Sequence, residues 1–242
     1  MSGTPEYGDR ARLGVIVPSG NVVAEPEIHA MLPPGVAAVV TRLPLTGSSE
    51  AQLRAMTEAL EPAARLLADA RPALLGFHCT AVSTFAPESA DDIRQRIEQA
   101  AGLPAYATAD GILAALAALG ARRVVLVTPY IAAVHEREVA WLGAKGVAVT
   151  GGDHWGLNTN AEMGRVPPAE ILARAREAAS RAPAADALFV SCTAIRSGAV
   201  IAALEAETGL PVITSNQAFA WHGLRRMGIA DATEGYGRLM SL

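Results

Sequence analysis

The sequence predicts an α/β protein made of two pseudo-symmetric, Rossmann-like halves, each with a mainly parallel sheet. Three observations predict it. Short β-branched runs alternate with Ala/Leu/Glu/Arg segments of helical period. The strand runs are continuously apolar, which marks a parallel sheet covered on both faces. Three segments also recur in the same order at nearly constant offset. Arg12-Leu13-Gly14-Val15-Ile16-Val17-Pro18-Ser19 resembles Arg123-Val124-Val125-Leu126-Val127-Thr128-Pro129-Tyr130. Ala73-Leu74-Leu75-Gly76-Phe77-His78-Cys79-Thr80-Ala81 resembles Ala187-Leu188-Phe189-Val190-Ser191-Cys192-Thr193-Ala194. Gly102-Leu103-Pro104-Ala105-Tyr106-Ala107-Thr108 resembles Gly209-Leu210-Pro211-Val212-Ile213-Thr214-Ser215. Strands resemble one another by chance, but three ordered matches together point to duplication.

The elements follow in order. Strands are predicted at Leu13–Val17, Val36–Leu43, Ala73–His78 and Pro104–Ala107, then at Val124–Val127, Val147–Thr150, Ala187–Ser191 and Val212–Thr214. Each is a short β-branched or apolar run. Helices are predicted at Glu50–Ala70, Ser89–Ala100, Gly111–Leu119, Ile131–Lys145, Ala169–Ser180, Ala199–Glu207 and Gln217–Met227. Gly102, Gly120, Gly146, Gly209 and Gly228 stand where several of these end, because glycine tolerates the left-handed C-cap. The repeat assigns residues 1–112 plus 213–242 to the first half and 113–212 to the second. The chain should cross over near Leu113–Arg122 and return after Pro211. Superposing the halves should bring Cys79 onto Cys192.

Composition narrows the function classes. The chain has 242 residues, a hydrophobic fraction of 51% and 18% charged residues, enough for a real core and against disorder. A formal net charge of −4 and the lack of a Lys/Arg run argue against a nucleic-acid partner. The polar stretch Met1 to Arg12 has no apolar signal core, and no apolar run reaches spanning length. The expectation is therefore a cytoplasmic protein with no membrane partner. The histidines are scattered without an HxH or HExxH pair, and the cysteines lack zinc spacing, so no metal is expected. Without a GxGxxG after the first strand or a P-loop, no nucleotide cofactor is expected either.

The chemistry is expected at the strand ends. Parallel α/β sheets bind ligands beyond their carboxyl ends, so the active site should lie in the cleft between the halves. Each half supplies a strand ending in proline plus a hydrogen-bonding residue, Pro18-Ser19-Gly20-Asn21 and Thr128-Pro129-Tyr130. Each also supplies a strand ending in Cys-Thr-Ala. Two facing halves would set Cys79 and Cys192 on opposite sides of one cavity. A thiolate can attack as a nucleophile or take a proton, and a second thiol can perform the complementary step. Either cysteine alone would read as a small core residue; their symmetric placement favours catalysis. Ser19, Asn21, Thr80, Tyr130 and Thr193 are neutral donors at loop positions, suited to a carboxylate bound without a cation. Helix capping is the alternative for Ser19, Asn21, Thr80 and Thr193, and packing in the seam for Tyr130. Glu25, Glu27 and His29 read as a solvated helix face. His78 should point away from Cys79 by strand alternation, and Trp221-His222 reads as core or seam.

These residues resemble a family. Ile16-Val17-Pro18-Ser19-Gly20-Asn21, the two Cys-Thr strand ends and Pro129-Tyr130 are similar to the maleate cis–trans isomerase branch of the aspartate/glutamate racemase superfamily, which includes arylmalonate decarboxylase-like proteins. Leu157-Asn158-Thr159-Asn160-Ala161-Glu162-Met163-Gly164-Arg165 and Leu210 through Ala218 share the resemblance, which runs from about Leu13 to Gly228. It implies cofactor-independent isomerisation of a small dicarboxylic acid, maleate or a substituted maleate, by a homo-oligomer. Cys79 would be the nucleophile and Cys192 the acid/base, with Asn21, Tyr130 and Asn160 holding carboxylates. Asn160 rests on the resemblance alone. Gly20 and Val22 depart from the polar residue and the threonine expected there, which leaves room for a larger or less charged acid. The alternative is an amino-acid racemase or epimerase using the thiols as opposed bases. Less favoured are an arylmalonate-type decarboxylase, which characteristically keeps only the second-half cysteine, and a non-catalytic binding protein.

Overall fold

The computed structural model describes residues 6–47 and 49–242. Its strands form two sheets. The first holds β1 (Ala11–Pro18), β2 (Val36–Leu43), β3 (Leu74–Phe77) and β4 (Ala105–Ala107) in the order β2-β1-β3-β4. The second holds β5 (Arg123–Tyr130), β6 (Ala148–Leu157), β7 (Ala187–Val190) and β8 (Val212–Thr214) in the order β6-β5-β7-β8. All pairings within both sheets are parallel. The two orders are the same once β1 is matched with β5, the correspondence the sequence repeat predicts.

The helices are α1 (Ala24–Met31), α2 (Glu50–Ala55), α3 (Leu60–Ala68), α4 (Thr80–Ser83), α5 (Ser89–Ala101), α6 (Thr108–Ala118), α7 (Ala132–Ala144), α8 (Asn160–Met163), α9 (Pro168–Ser180), α10 (Ile201–Thr208) and α11 (Ser215–Arg226). Several differ from the sequence expectation. The helix expected over Glu50–Ala70 is broken into α2, a 3₁₀ turn at Met56–Ala59, and α3. Pro62 explains the break: it has no N–H to continue the ladder and is tolerated only in a first turn. α6 starts at Thr108 rather than Gly111, because Asp110 accepts the Ala107 N–H at 2.8 Å. α11 starts at Ser215, where Thr214 and Gln217 form a reciprocal capping box. β6 runs on to Leu157, well beyond the expected Thr150. It is an edge strand, so its half-exposed Gly151-Gly152-Asp153-His154 stretch carries no apolar signature.

One apolar cluster is continuous across both sheets, from Ile16, Phe77 and Ile112 to Leu126, Phe189 and Ile213. A second cluster covers the other face of the first sheet, where Phe219 of α11 packs with Leu13, Val15 and Tyr106. α11 also lies along α6, and Gly111 permits the contact. A Cβ there would stand 2.9 Å from the Ala218 carbonyl oxygen. Thus the helix following the second sheet returns to the first. β8 pairs with β7, so a division at 212/213 passes through this strand. Among the described residues, no helix is long and apolar enough to cross a membrane.

Candidate active site

Cys79 and Cys192 each stand two residues past the end of their strand, β3 and β7. Both are unpaired and buried. They line one small cavity with Pro18, Leu45, Leu53, Tyr130, Asn160 and Met163. Its volume is about 20 Å³, room for roughly one water. A far larger groove, about 460 Å³, lies between Leu113, Leu116, Arg122 and Lys145, but it includes neither thiol. Volume therefore does not locate the chemistry in this fold.

The two thiols sit in matching cradles. Cys79 precedes α4, and its sulfur accepts the N–H groups of Ala81 and Val82. Cys192 accepts the Ala194 N–H at 3.2 Å, and the Ile195 N–H and Tyr130 hydroxyl also favour its thiolate. These donors favour thiolate. Burial opposes them and wins, pushing each thiol up to about 12. In this closed state both are thiols at neutral pH. Burial likewise holds Tyr130 well above its ordinary value, with further contributions from Cys192 and Glu138.

The halves differ in how the cysteine turn is built. Cys79 is extended, at φ −149°. Cys192 has φ +115°, a region L-residues rarely occupy. Its N–H donates to Ser215 Oγ at 3.0 Å, and the Thr80 hydroxyl donates to the same oxygen at 2.9 Å. Ser215, at the start of α11, thus ties both Cys-Thr turns together. Sequence reasoning gave it no role, although it closes the third repeated segment.

The expected binding residues are distributed unequally. Thr80, Tyr130, Asn160 and Thr193 line the cavity. Asn21 is buried and behaves as a cap: its Oδ1 accepts the N–H groups of Val23 and Ala24, and its Nδ2 donates to Thr193 Oγ1 at 3.0 Å. It steadies the second Cys-Thr turn from the other half. Ser19 faces a separate surface pocket, and its hydroxyl accepts the Leu45 N–H at 3.1 Å. Asn160 is half-committed to the loop after β2, donating to the Leu45 carbonyl at 3.3 Å. A lone bridge between Gly47 and Thr159 closes the same loop over the cavity. Leu45, Leu53 and Met163 form the apolar wall and were not singled out in the sequence. Only the fold brings them beside the thiols; Met163 Sδ lies 3.8 Å from Cys192 Sγ.

His78 points away from Cys79, as alternation predicts, and is fully buried. Its Nε2 donates to Asn216 Oδ1 at 2.8 Å, and burial lowers it to about 3, so it is neutral. Glu25 and His29 fit the solvated-face reading, with Glu25 paired to Arg42. Glu27 does not. Its carboxylate accepts the Gly198 N–H at 2.9 Å, from the second half, and Asn216 Nδ2 at 2.7 Å, from α11, and burial raises it to about 7. Period alone put Glu27 on an outer face; packing against the other half covers it.

Two parallel α/β halves, each bringing a buried thiol to one cavity, place the chain in the racemase-like α/β class. The chain belongs to the arylmalonate decarboxylase family, whose model matches residues 13–240. It is 32% identical to the maleate isomerase of Nocardia farcinica (strain IFM 10152) over 240 residues, covering 95% of each chain. It is 31% identical to the arylmalonate decarboxylase of Bordetella bronchiseptica over 231 residues, covering 94% of this chain and 95% of that one. Among solved structures, Nocardia farcinica maleate cis–trans isomerase bound to TRIS superposes with a TM-score of 0.90 at 27% identity, covering 96% of this chain and 98% of that chain. A cysteine-to-serine variant of the same enzyme, carrying a covalently bound succinylcysteine intermediate, superposes with a TM-score of 0.89 at 27% identity. It covers 96% of this chain and 98% of that chain.

Proposed function

We propose that this protein isomerises maleate, or a substituted maleate, to the trans diacid without a cofactor, using Cys79 as nucleophile and Cys192 as acid/base. The observation that carries the reading is the pair of thiols sharing one cavity, each cradled by two backbone N–H groups. As the cavity opens to admit the diacid, Cys79 loses its proton to solvent; the thiolate adds to one alkene carbon, and the electron pair moves to the other. The Cys192 thiol protonates that carbon, leaving a succinyl thioether on Cys79 and a freely rotating single bond. After rotation, Cys192 takes the proton back and the electron pair expels Cys79. A succinylcysteine adduct in the Nocardia relative supports this sequence of steps. Thr193, Tyr130 and Asn160 are the neutral donors available to the carboxylates; Thr80 would first have to release Ser215 Oγ. The cavity must enlarge to admit a diacid, and the wall formed by Leu45, Leu53 and Asn160 is the part that has to move.

Decarboxylation is the second reading, favoured by the family match and by the Bordetella relative. It needs one thiol to protonate a carbanion, and two are present here. Proton NMR in D2O with maleate, substituted maleates, arylmalonates, aspartate and glutamate separates alkene isomerisation, loss of CO2 and α-deuteration. Mass spectrometry with maleate should find an adduct on Cys79 in Cys192→Ser and none in Cys79→Ser. An unmodified Cys79 during turnover, with enantiomer-specific deuteration of amino acids in the single variants, would instead assign a racemase.

A further inference from the structure

Two consecutive residues of α11 hold both cysteine turns. Ser215 takes the Cys192 N–H and the Thr80 hydroxyl. Asn216, fully buried beside it, takes the next neighbours. Its Nδ2 donates to Glu27 Oε2 at 2.7 Å and to the Thr193 carbonyl at 3.3 Å. A carbonyl can only accept, which fixes the amide with Nδ2 towards Thr193 and Oδ1 towards His78. His78 Nε2 donates to that oxygen at 2.8 Å. The other ring nitrogen meets Thr108 Oγ1 at 3.1 Å, and the ring lies against Phe219 with centroids 3.9 Å apart. His78 immediately precedes Cys79, and Thr193 immediately follows Cys192. One side chain therefore spans from the Cys79 turn to the Cys192 turn. Neither Asn216 nor His78 is among the residues lining the cavity, so the span lies behind the thiols rather than against substrate.

We infer that Asn216 is a positioning residue that sets the separation of the two thiols. The inference rests on the two-thiol reading above and adds the part that keeps the pair in register. In that reading Cys79 attacks one alkene carbon and Cys192 moves a proton at the next. Both sulfurs must then reach one small molecule at once, and a misplacement of about 1 Å costs about a hundredfold in rate. A single attachment leaves a turn free to pivot about it; a second attachment fixes its direction. Ser215 supplies one point on each turn, at Thr80 and at the Cys192 N–H. Asn216 supplies the second, at His78 and at the Thr193 carbonyl.

The test compares two alkylating reagents. Dibromobimane has two reactive arms and fluoresces strongly once both have reacted, so it reports a bridge between the thiols. Monobromobimane, read at each cysteine by peptide mass spectrometry, reports single alkylation. Asn216→Leu removes the tie whole. His78→Phe keeps a ring against Phe219 and cuts only the Cys79 end. A tie fails from either end, so both variants should lose bridging about tenfold relative to single alkylation, because the second arm reacts at an effective concentration set by geometry. With maleate, kcat should fall about a hundredfold in both while KM stays within about twofold. His78→Phe carries the test if Asn216→Leu does not fold. A purely structural role would lower the urea midpoint and leave bridging and the kcat of the folded enzyme unchanged. That result in either variant, or a wild type that is not bridged, overturns the inference. Bridging does not require turnover, so failure of the isomerase reading would show only in the NMR and adduct measurements.

Discussion

Ser215 illustrates what a single side chain contributes at this site. Its oxygen accepts from the Cys192 N–H and from the Thr80 hydroxyl, and it is fully buried. Ser215→Ala strands two buried donors, each costing about 1–3 kcal/mol. Urea denaturation should show a loss of about 2 kcal/mol or more, and kcat should fall more than KM changes, because the cysteine turns move rather than the binding wall. A loss below about 0.5 kcal/mol would mean that water replaces the hydroxyl. Glu27 makes a pH-dependent prediction. Its folded pKa, about 7, lies above the ordinary 4.5, so the folded state holds the proton more tightly. Its contribution is fully present below about pH 4.5 and is lost as pH rises to about 7. Glu27→Gln should therefore flatten the stability difference between about pH 4.5 and pH 8 by about 3 kcal/mol, whatever it costs in hydrogen bonding. An unchanged difference would mean that the carboxylate is solvated. Residue identity was legible for the thiols, because chemistry and symmetry coincide there. It was not legible for Glu27 or Glu138, because a carboxylate on a helix reads as solvated until the elements that pack over it are in place.

At the scale of elements, the contact between α6 and α11 depends on Gly111. A methyl group there meets the Ala218 carbonyl at 2.9 Å, and a backbone atom cannot rotate aside. Gly111→Ala should cost about 1–3 kcal/mol by overpacking, measurable as a lower thermal midpoint. A neutral or stabilising result, as expected where helix propensity dominates, would show that the helices can separate without penalty. The interior strands could be read from sequence, since β-branched runs buried on both faces have no competing interpretation. The edge strand β6, the break at Pro62 and the single-turn helices α4 and α8 could not. Their form depends on pairing with β5, on one missing N–H, and on turns too short for periodicity to register.

Over the whole molecule, the apolar cluster shared by both sheets, together with α11 packed back on the first, makes the halves one cooperative unit. Thermal unfolding should be a single transition, with calorimetric and van't Hoff enthalpies agreeing. Two resolved transitions would mean that the halves fold separately. The sequence by itself determined the parallel α/β class, the duplication, and the placement of Cys79 and Cys192 at equivalent strand ends. These follow from local apolar period and from recurrence along the chain. Only the tertiary structure decided that Asn21 caps a helix while holding Thr193, that Ser19 faces another pocket, and that Leu45, Leu53 and Met163 wall the cavity. It also decided that Ser215 joins the two turns. Each of these depends on contacts between segments far apart in sequence. Burial, which lifts both thiols to about 12 and Glu138 to about 7, belongs to no residue until the surrounding elements pack around it.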